Sequence, residues 1–267
     1  MKKYLLITAL LFISISILAQ QKPAYILYNA KGKKVSYKKM IKQLAQKDII
    51  LFGEYHNNAI AHWLELAVAK DLSEKRGLVF GAEMFEADNQ QALNGYLAGK
   101  ITAKGLDTAA RLWSNYKTDY APIVNFAKEK QLSFIATNIP RRYVALDTLS
   151  AVEKTWMAPL PMDYDSTLPG YVKMVEMMGG HGGANMPKAQ ATKDATMAYF
   201  ILKNFKPGSL FIHYNWAYHS DNYDGINWYL KRKQSDLKYA TITTVSQKNI
   251  KKLDTENKGK ADFIICV

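Results

Sequence analysis

The sequence has very little cysteine: one residue, Cys266, in 267. A single thiol excludes an internal disulfide, so folding must rest on a packed core. Residues 263–267 read as a closing apolar strand in which Cys266 serves as a small apolar side chain. No Cys-x-x-Cys-His occurs, which excludes the usual covalent haem attachment. Long apolar runs are confined to residues 4–18. With Met1-Lys2-Lys3 before it and Leu18-Ala19-Gln20 after it, that run is expected to be an export signal over residues 1–19. It is short of the ~20 apolar residues of a spanning helix. No Cys follows it for lipid attachment, so the expected product is periplasmic or secreted and not lipid-anchored. No later stretch is apolar enough to span a membrane. Acidic residues are scarce as well, 23 against 36 Lys plus Arg, for a net charge of +13. RRM, zinc-finger and helix-turn-helix signatures are missing, so no nucleic acid is implied. A solvated basic surface, an anionic small ligand or an acidic envelope surface accounts for the charge. Internal repeats and low-complexity tracts are absent.

What is present is a regular alternation. Residues 24–28 and 34–37, around Gly32, predict a β-hairpin. A helix follows through Met40, Ile41 and Leu44. Apolar strands are predicted at 48–53, 77–84, 133–137 and 210–214, with further strands at 239–245 and 261–267. Between them the spacing predicts helices at 59–76, 88–97, 107–113, 123–131, 141–149, 188–204 and 222–233. This alternation predicts an α/β fold, a single domain over 20–267 with a mostly parallel sheet and helices on both faces. Residues 157–187 break the pattern. They hold four of the eight prolines, together with Met162, Met174, Met177, Met178 and Met186, and read as an irregular Met-rich lid insertion.

In open α/β sheets, ligands bind beyond the carboxyl ends of the strands. The first strand ends in Gly53-Glu54-Tyr55-His56. Side chains alternate along a strand, so Glu54 and His56 leave it together. A carboxylate beside an imidazole is a metal-ligand pair or a general acid/base pair. The second strand ends in Glu83. The third ends in Asn138, with Arg141 and Arg142 next, which can pair with an anionic ligand. The fourth delivers His213, Asn215, His219 and Asp221. Taken singly, each acid is explained as well by helix capping. Four strands delivering such groups to one edge point to a pocket. Gln190 and Asp194, four apart on a predicted helix, share a face that can turn toward that edge. His62 reads as a packing or supporting residue. In the lid, Tyr164, Tyr171 and His181 are candidates for holding haem iron on a Met-rich surface suited to a flat apolar ligand.

Several pieces in sequence order carry a resemblance: Gly53-Glu-Tyr-His-Asn-Asn58, Glu83-Met-Phe, Tyr120-Ala-Pro, Asn138-Ile-Pro-Arg-Arg-Tyr143, Gln190-x-x-x-Asp-x-x-Met-Ala198, and the block from His213 to Leu230. Together they resemble the ChaN-like haem-binding uptake proteins of the Tiki superfamily. The resemblance implies an α/β sheet fold and an envelope location. It also implies either haem binding linked to iron uptake or a metal-assisted hydrolase ancestry. Residue by residue it supports Glu54, His56, Glu83, Asn138, Arg141, Gln190, Asp194 and His219 as pocket residues. Two departures stand out: no lipidated Cys is present, and His213-Tyr-Asn-Trp-Ala-Tyr-His219 replaces a common Gly-x-Gly-His.

Three readings stay open at this point. The first is a haem-binding uptake protein, taking haem or another anionic small molecule, with envelope uptake components as partners and a homodimer around shared haem as one arrangement. The second is a metal-dependent hydrolase, peptidase or esterase, with Glu54, His56 and His219 on a divalent metal and Glu83 as base. The third is a non-catalytic binding module for an envelope partner.

Overall fold

The computed structural model describes residues 22–143, 153–159, 162–177 and 185–267. The expected export signal, His181 and most of the helix expected at 141–149 lie outside the described residues. Of that helix, the described part is one 3₁₀ turn, Arg141–Tyr143.

Seven strands form one sheet: β1 (Ile26–Asn29), β2 (Ile49–Glu54), β3 (Leu78–Glu86), β4 (Ser133–Asn138), β5 (Leu210–Trp216), β6 (Tyr239–Val245) and β7 (Phe263–Cys266), in the order β1-β7-β6-β2-β5-β3-β4. Every pairing is parallel except β1 with β7. The sequence expectation of an α/β fold with a mostly parallel sheet is met. The N-terminal hairpin takes a different form. Its second arm makes a single antiparallel bridge, Tyr28 to Lys34, because β1 spends its ladder on the C-terminal strand, in register from Ile26 with Cys266 to Asn29 with Phe263.

Alternation along β2 divides the core. Ile50 and Phe52 join Phe80, Tyr214, Leu64, Val68 and Val124 on one face, while Ile49 and Leu51 join Val79, Phe211, Ile201, Ile226 and Leu230 on the other. The first face is covered by α1 (Tyr37–Leu44), α2 (Ala59–Ser73), α3 (Gln90–Leu97) and α5 (Ala121–Glu129). The second is covered by α7 (Asn185–Asn204) and α8 (Ile226–Lys233). Side-chain caps set the starts: Ser36 accepts from the Lys39 amide at 3.3 Å and Asn58 from the Ala61 amide at 2.9 Å. Thr102 likewise accepts from the Gly105 amide, so α4 is Ala103–Ala109 and ends at the extended Ala110. That cap explains why this helix starts before the 107–113 expected from spacing.

Among its described residues, the region expected to be an irregular lid contains α6 (Pro169–Met177), with Pro at its first position, and the first residues of α7. At the opposite end of the sheet, the Arg76 guanidinium donates to the carbonyls of Ala45, Lys47, Gly208 and Ser209. It ties the entries of β2 and β5 together. No helix of the described residues is long and apolar enough to cross a membrane.

Candidate functional site

β2, β3 and β5 lie side by side, so their carboxyl ends open onto one edge. Gly53 is essential to that edge. A Cβ there would meet Ala217 Cα at 2.9 Å and the Ile242 carbonyl at 3.0 Å. Only glycine lets the turn after β5, Ala217–His219, close over the end of β2.

Two carboxylate–imidazole groups result. In the first, His56 Nδ1 lies 2.5 Å from Glu54 Oε1, and the Tyr120 hydroxyl donates to the same oxygen at 3.2 Å. Glu54 is fully buried, whereas the His56 side chain is 36% exposed. Burial pulls the His56 pKa down, but the Glu54 carboxylate outweighs it and the net direction is upward. Trp113 stands edge-on to the His56 ring at 4.7 Å, and Trp216 flanks it at 5.9 Å. The backbone carbonyl of His56 accepts from Asn115 Nδ2 at 2.6 Å and lies 3.2 Å from His62 Nε2. No described group takes His56 Nε2; in the neutral ring with its proton on Nδ1 toward Glu54, this nitrogen carries the lone pair.

His62 extends the first group inward. A carbonyl only accepts, so its Nε2 carries a proton, and its Nδ1 lies 3.0 Å from Glu65 Oε2. Burial raises the Glu65 carboxyl to about 7, while His62, lowered by burial, is lifted by Glu65 to about 9.

The second group is fully enclosed. His219 Nδ1 lies 2.5 Å from Asp194 Oδ1, and its Nε2 lies 3.1 Å from Glu83 Oε1. Carboxylates face both nitrogens, so both donate and the ring is an imidazolium. Burial works against that charge, yet Glu83 and Asp194 raise the pKa to about 10. Burial would push the Glu83 carboxyl up, but His219 and the Trp216 amide, which donates to Oε2 at 2.8 Å, hold it at about 2. Asp194 moves the other way, because burial outweighs its partners His219 and Tyr171. The Gln190 amide lies 2.8 Å from His219 Nδ1. The atom placed there is Nε2; because His219 Nδ1 donates to Asp194, the contact is a hydrogen bond only with the amide oxygen and nitrogen exchanged.

The remaining expected residues fall around these groups. Asn138 Nδ2 donates to the Glu83 carbonyl at 3.1 Å. Asn215 binds Ser220 Oγ at 3.0 Å and accepts from His213 Nδ1 at 3.1 Å. His213 is a core histidine, lowered by burial to about 4 and therefore neutral, with the Thr137 hydroxyl 2.7 Å from Nε2. Asp221 pairs with the Thr243 hydroxyl at 2.5 Å. Arg142 is held by Asp88 at 2.5 Å, while the Arg141 side chain is exposed, its amide donating to Glu86 at 3.0 Å.

The metal and haem candidates separate. Glu54 and His56 form one group and His219 belongs to the other. Among the described residues no set of three or more His, Cys, Asp or Glu side chains is arranged to hold a metal ion. An imidazolium also has no lone pair to offer, so His219 is not a ligand in this state. Tyr171 is 3% exposed and its hydroxyl donates to Asp194 Oδ2 at 3.0 Å; burial and that carboxylate push its pKa far up. It serves as a tether and not as a phenolate. Tyr164 is exposed, its ring tilted 5.8 Å from Tyr171. His181 is outside the described residues.

The tether matters for α6. Tyr171 is its one buried residue, the Gly170 amide donates to Asp224 Oδ2 at 3.1 Å, and Tyr218 donates to the Gly170 carbonyl. The rest of the helix presents Val172, Val175 and Met177 to solvent, Met177 at 70%.

Sequence reading gave no role to Asn115, Trp113 or Glu65, and used Tyr120 only within a motif. Asn115 precedes and Tyr120 ends a π-helical turn, Tyr116–Tyr120, which spacing rules do not detect. Glu65 had a signal: it lies three residues after His62 on one helix face.

Solved structures share this architecture. ChaN of Campylobacter jejuni, described with cofacial heme binding, superposes with a TM-score of 0.68 at 18% identity, over 92% of this chain and 98% of that one. A mutant erythromycin esterase EreC in its open conformation gives 0.56 at 11%, over 92% and 97%. A succinoglycan biosynthesis protein gives 0.51 at 14%, over 83% and 72%. At these identities the likeness is one of fold. No curated protein matches the sequence. The profile described as haem-binding uptake, Tiki superfamily, ChaN, matches residues 40–230, which takes in both carboxylate–imidazole groups. The match covers most of the sequence, and the chain belongs to the ChaN family of haem-binding uptake proteins in the Tiki superfamily.

Proposed function

We propose that this is an exported haem-binding protein of iron uptake, periplasmic or secreted, which holds haem at the carboxyl ends of β2, β3 and β5 with His56 as the iron ligand. One observation carries the reading. His56 is the half-exposed imidazole of the site, its Nδ1 is held on the buried Glu54 at 2.5 Å, and its Nε2 has no partner among the described residues. A histidine that ligates a metal commonly directs its other ring nitrogen to a carboxylate, which orients the ring and raises its basicity.

The surroundings suit the macrocycle. Trp113 and Trp216 supply aromatic walls, and Val172, Val175 and Met177 supply apolar surface on α6. The exposed Arg141 guanidinium is the donor for a propionate. When bound, haem contributes an iron centre with redox and ligand-exchange chemistry; the residues of this chain bind it, orient His56 and shield its inner side. The membership in a haem-binding uptake family supports the same ligand.

Titration of the purified protein with haemin, followed by absorbance, tests this. A saturable Soret shift at a fixed stoichiometry, abolished in His56→Ala, is expected. No shift overturns the haem reading, and a full shift in His56→Ala overturns the choice of ligand.

A further inference from the structure

We propose that the lysine-rich face at the amino-terminal end of the sheet docks on an anionic phospholipid surface. The face is a groove of about 920 Å³ between α1 and the β1–β7 edge, lined among others by Lys31, Lys39, Lys42 and Lys47. It arises from local structure. Helix α1 turns Met40, Ile41 and Leu44 into the core, which leaves Lys39 and Lys42 outside. The β1 turn, with Gly32 at φ +73°, brings Lys31 to the same side, and the Lys258 stem packs against that glycine.

These charges outnumber the acid among them, four lysines to Asp262. None of the four lining lysines has an ion pair among the described residues, where lysine pairs are Lys117 with Asp107 and Lys233 with Asp163. The one acid lining the groove, Asp262, is taken by the Thr241 amide at 2.9 Å and the Tyr223 hydroxyl at 3.3 Å. Lysine is a strongly hydrated point charge that responds to charge density more than to the geometry of one anion. The four come from a turn, a helix and a strand entry, and no large apolar side chain is exposed among them. That composition fits contact at the level of lipid headgroups, without insertion.

Topology sets the orientation. Lys47 precedes β2 and Phe263 begins β7, so the groove lies at the end of the sheet opposite Glu54, Glu83 and His219. A molecule docked by this face turns its candidate site away from the membrane.

Co-sedimentation of the full chain with vesicles of phosphatidylglycerol and phosphatidylcholine, against phosphatidylcholine alone, tests the proposal. The apolar run at residues 4–18 partitions into both vesicles, so the difference between them reads the lysines. Stronger binding to the phosphatidylglycerol vesicles, by an excess that falls with salt, is expected. Lys31→Gln/Lys39→Gln/Lys42→Gln together should weaken it on the order of 100-fold, about fivefold per lysine. Lys117→Gln/Lys188→Gln/Lys203→Gln, which removes equal charge elsewhere, should retain most of it. Equal binding to both vesicles, or equal losses in the two triple variants, overturns the proposal. So does retention on heparin with no vesicle binding. Circular dichroism of each variant verifies folding.

Discussion

Glu54 and His56 meet at 2.5 Å although one is fully buried and the other half-exposed. The carboxylate is sealed behind the imidazole it orients. Its second oxygen, Oε2, is buried without a described partner, so the acid is held there at a cost to the fold. Such an arrangement separates stability from function.

Glu54→Gln should therefore leave the melting temperature equal or higher, since a buried charge is removed. Haem affinity should fall by about 10–100-fold, the usual effect of losing a ligand's supporting carboxylate. Calorimetry and a haemin titration on the same preparation check both. A parallel loss of stability and affinity would mean that Glu54 is structural only.

The enclosed cluster predicts how stability follows pH. The His219 pKa is raised from the ordinary 6.5 to about 10, so its contribution is fully present below pH 6.5 and disappears as pH rises through 10. The Glu83 pKa is depressed to about 2, so its contribution is present above pH 4.5 and disappears as pH falls through 2. Asp194, raised by burial, acts against stability as pH climbs past its ordinary 3.8. Urea denaturation from pH 6 to 10 should show a falling midpoint, and His219→Gln should flatten that slope while lowering the midpoint at pH 6.

Tyr171→Phe tests the tether. Losing a buried hydrogen bond to a carboxylate costs about 1.5–3 kcal/mol. Amide exchange should accelerate across α6 more than across β2. The Soret maximum of the haem complex should keep its position, because the phenol is bound to Asp194 and not to iron. A displaced maximum would reassign the ligand to Tyr171.

Gly53→Ala should destabilise the fold by about 1–3 kcal/mol, the cost of overpacking against backbone that cannot yield. Thermal melting measures it. Haem affinity should fall as well, because the turn carrying His219 rests on that glycine. Unchanged melting would mean that the Ala217 backbone moves aside.

Much of this was legible in sequence, for local reasons. The strands ending in Glu54 and Glu83 are short apolar runs closed by polar groups, and alternation alone brings Glu54 and His56 to one strand end. The helical spacing put Gln190 and Asp194 on one face that could turn toward the strand ends, and both stand beside His219. What could not be read is the charge state of each imidazole. His219 is an imidazolium because Glu83, 136 residues away, faces one nitrogen and Asp194 the other. His213 is neutral because its burial in the core, with the uncharged Thr137 and Asn215 at its two ring nitrogens, outweighs the groups that favour its charge. Such differences depend on partners brought together by strand order, and no local pattern encodes that order. The pairing of β1 with β7 was hidden for the same reason, since the two strands lie at opposite ends of the chain.

Helix α6 is anchored in its first turn, where Tyr171 is its one buried residue. Among the described residues its buried side-chain anchor therefore sits near one end. From Tyr171 to Met177 the helix extends about 9 Å beyond that anchor at 1.5 Å per residue. A tilt of about 10° at the anchor moves the tip by roughly 1.5 Å on that length. The position of that arm is therefore coupled, through Tyr171, to Asp194, the carboxylate that also completes the charge of His219.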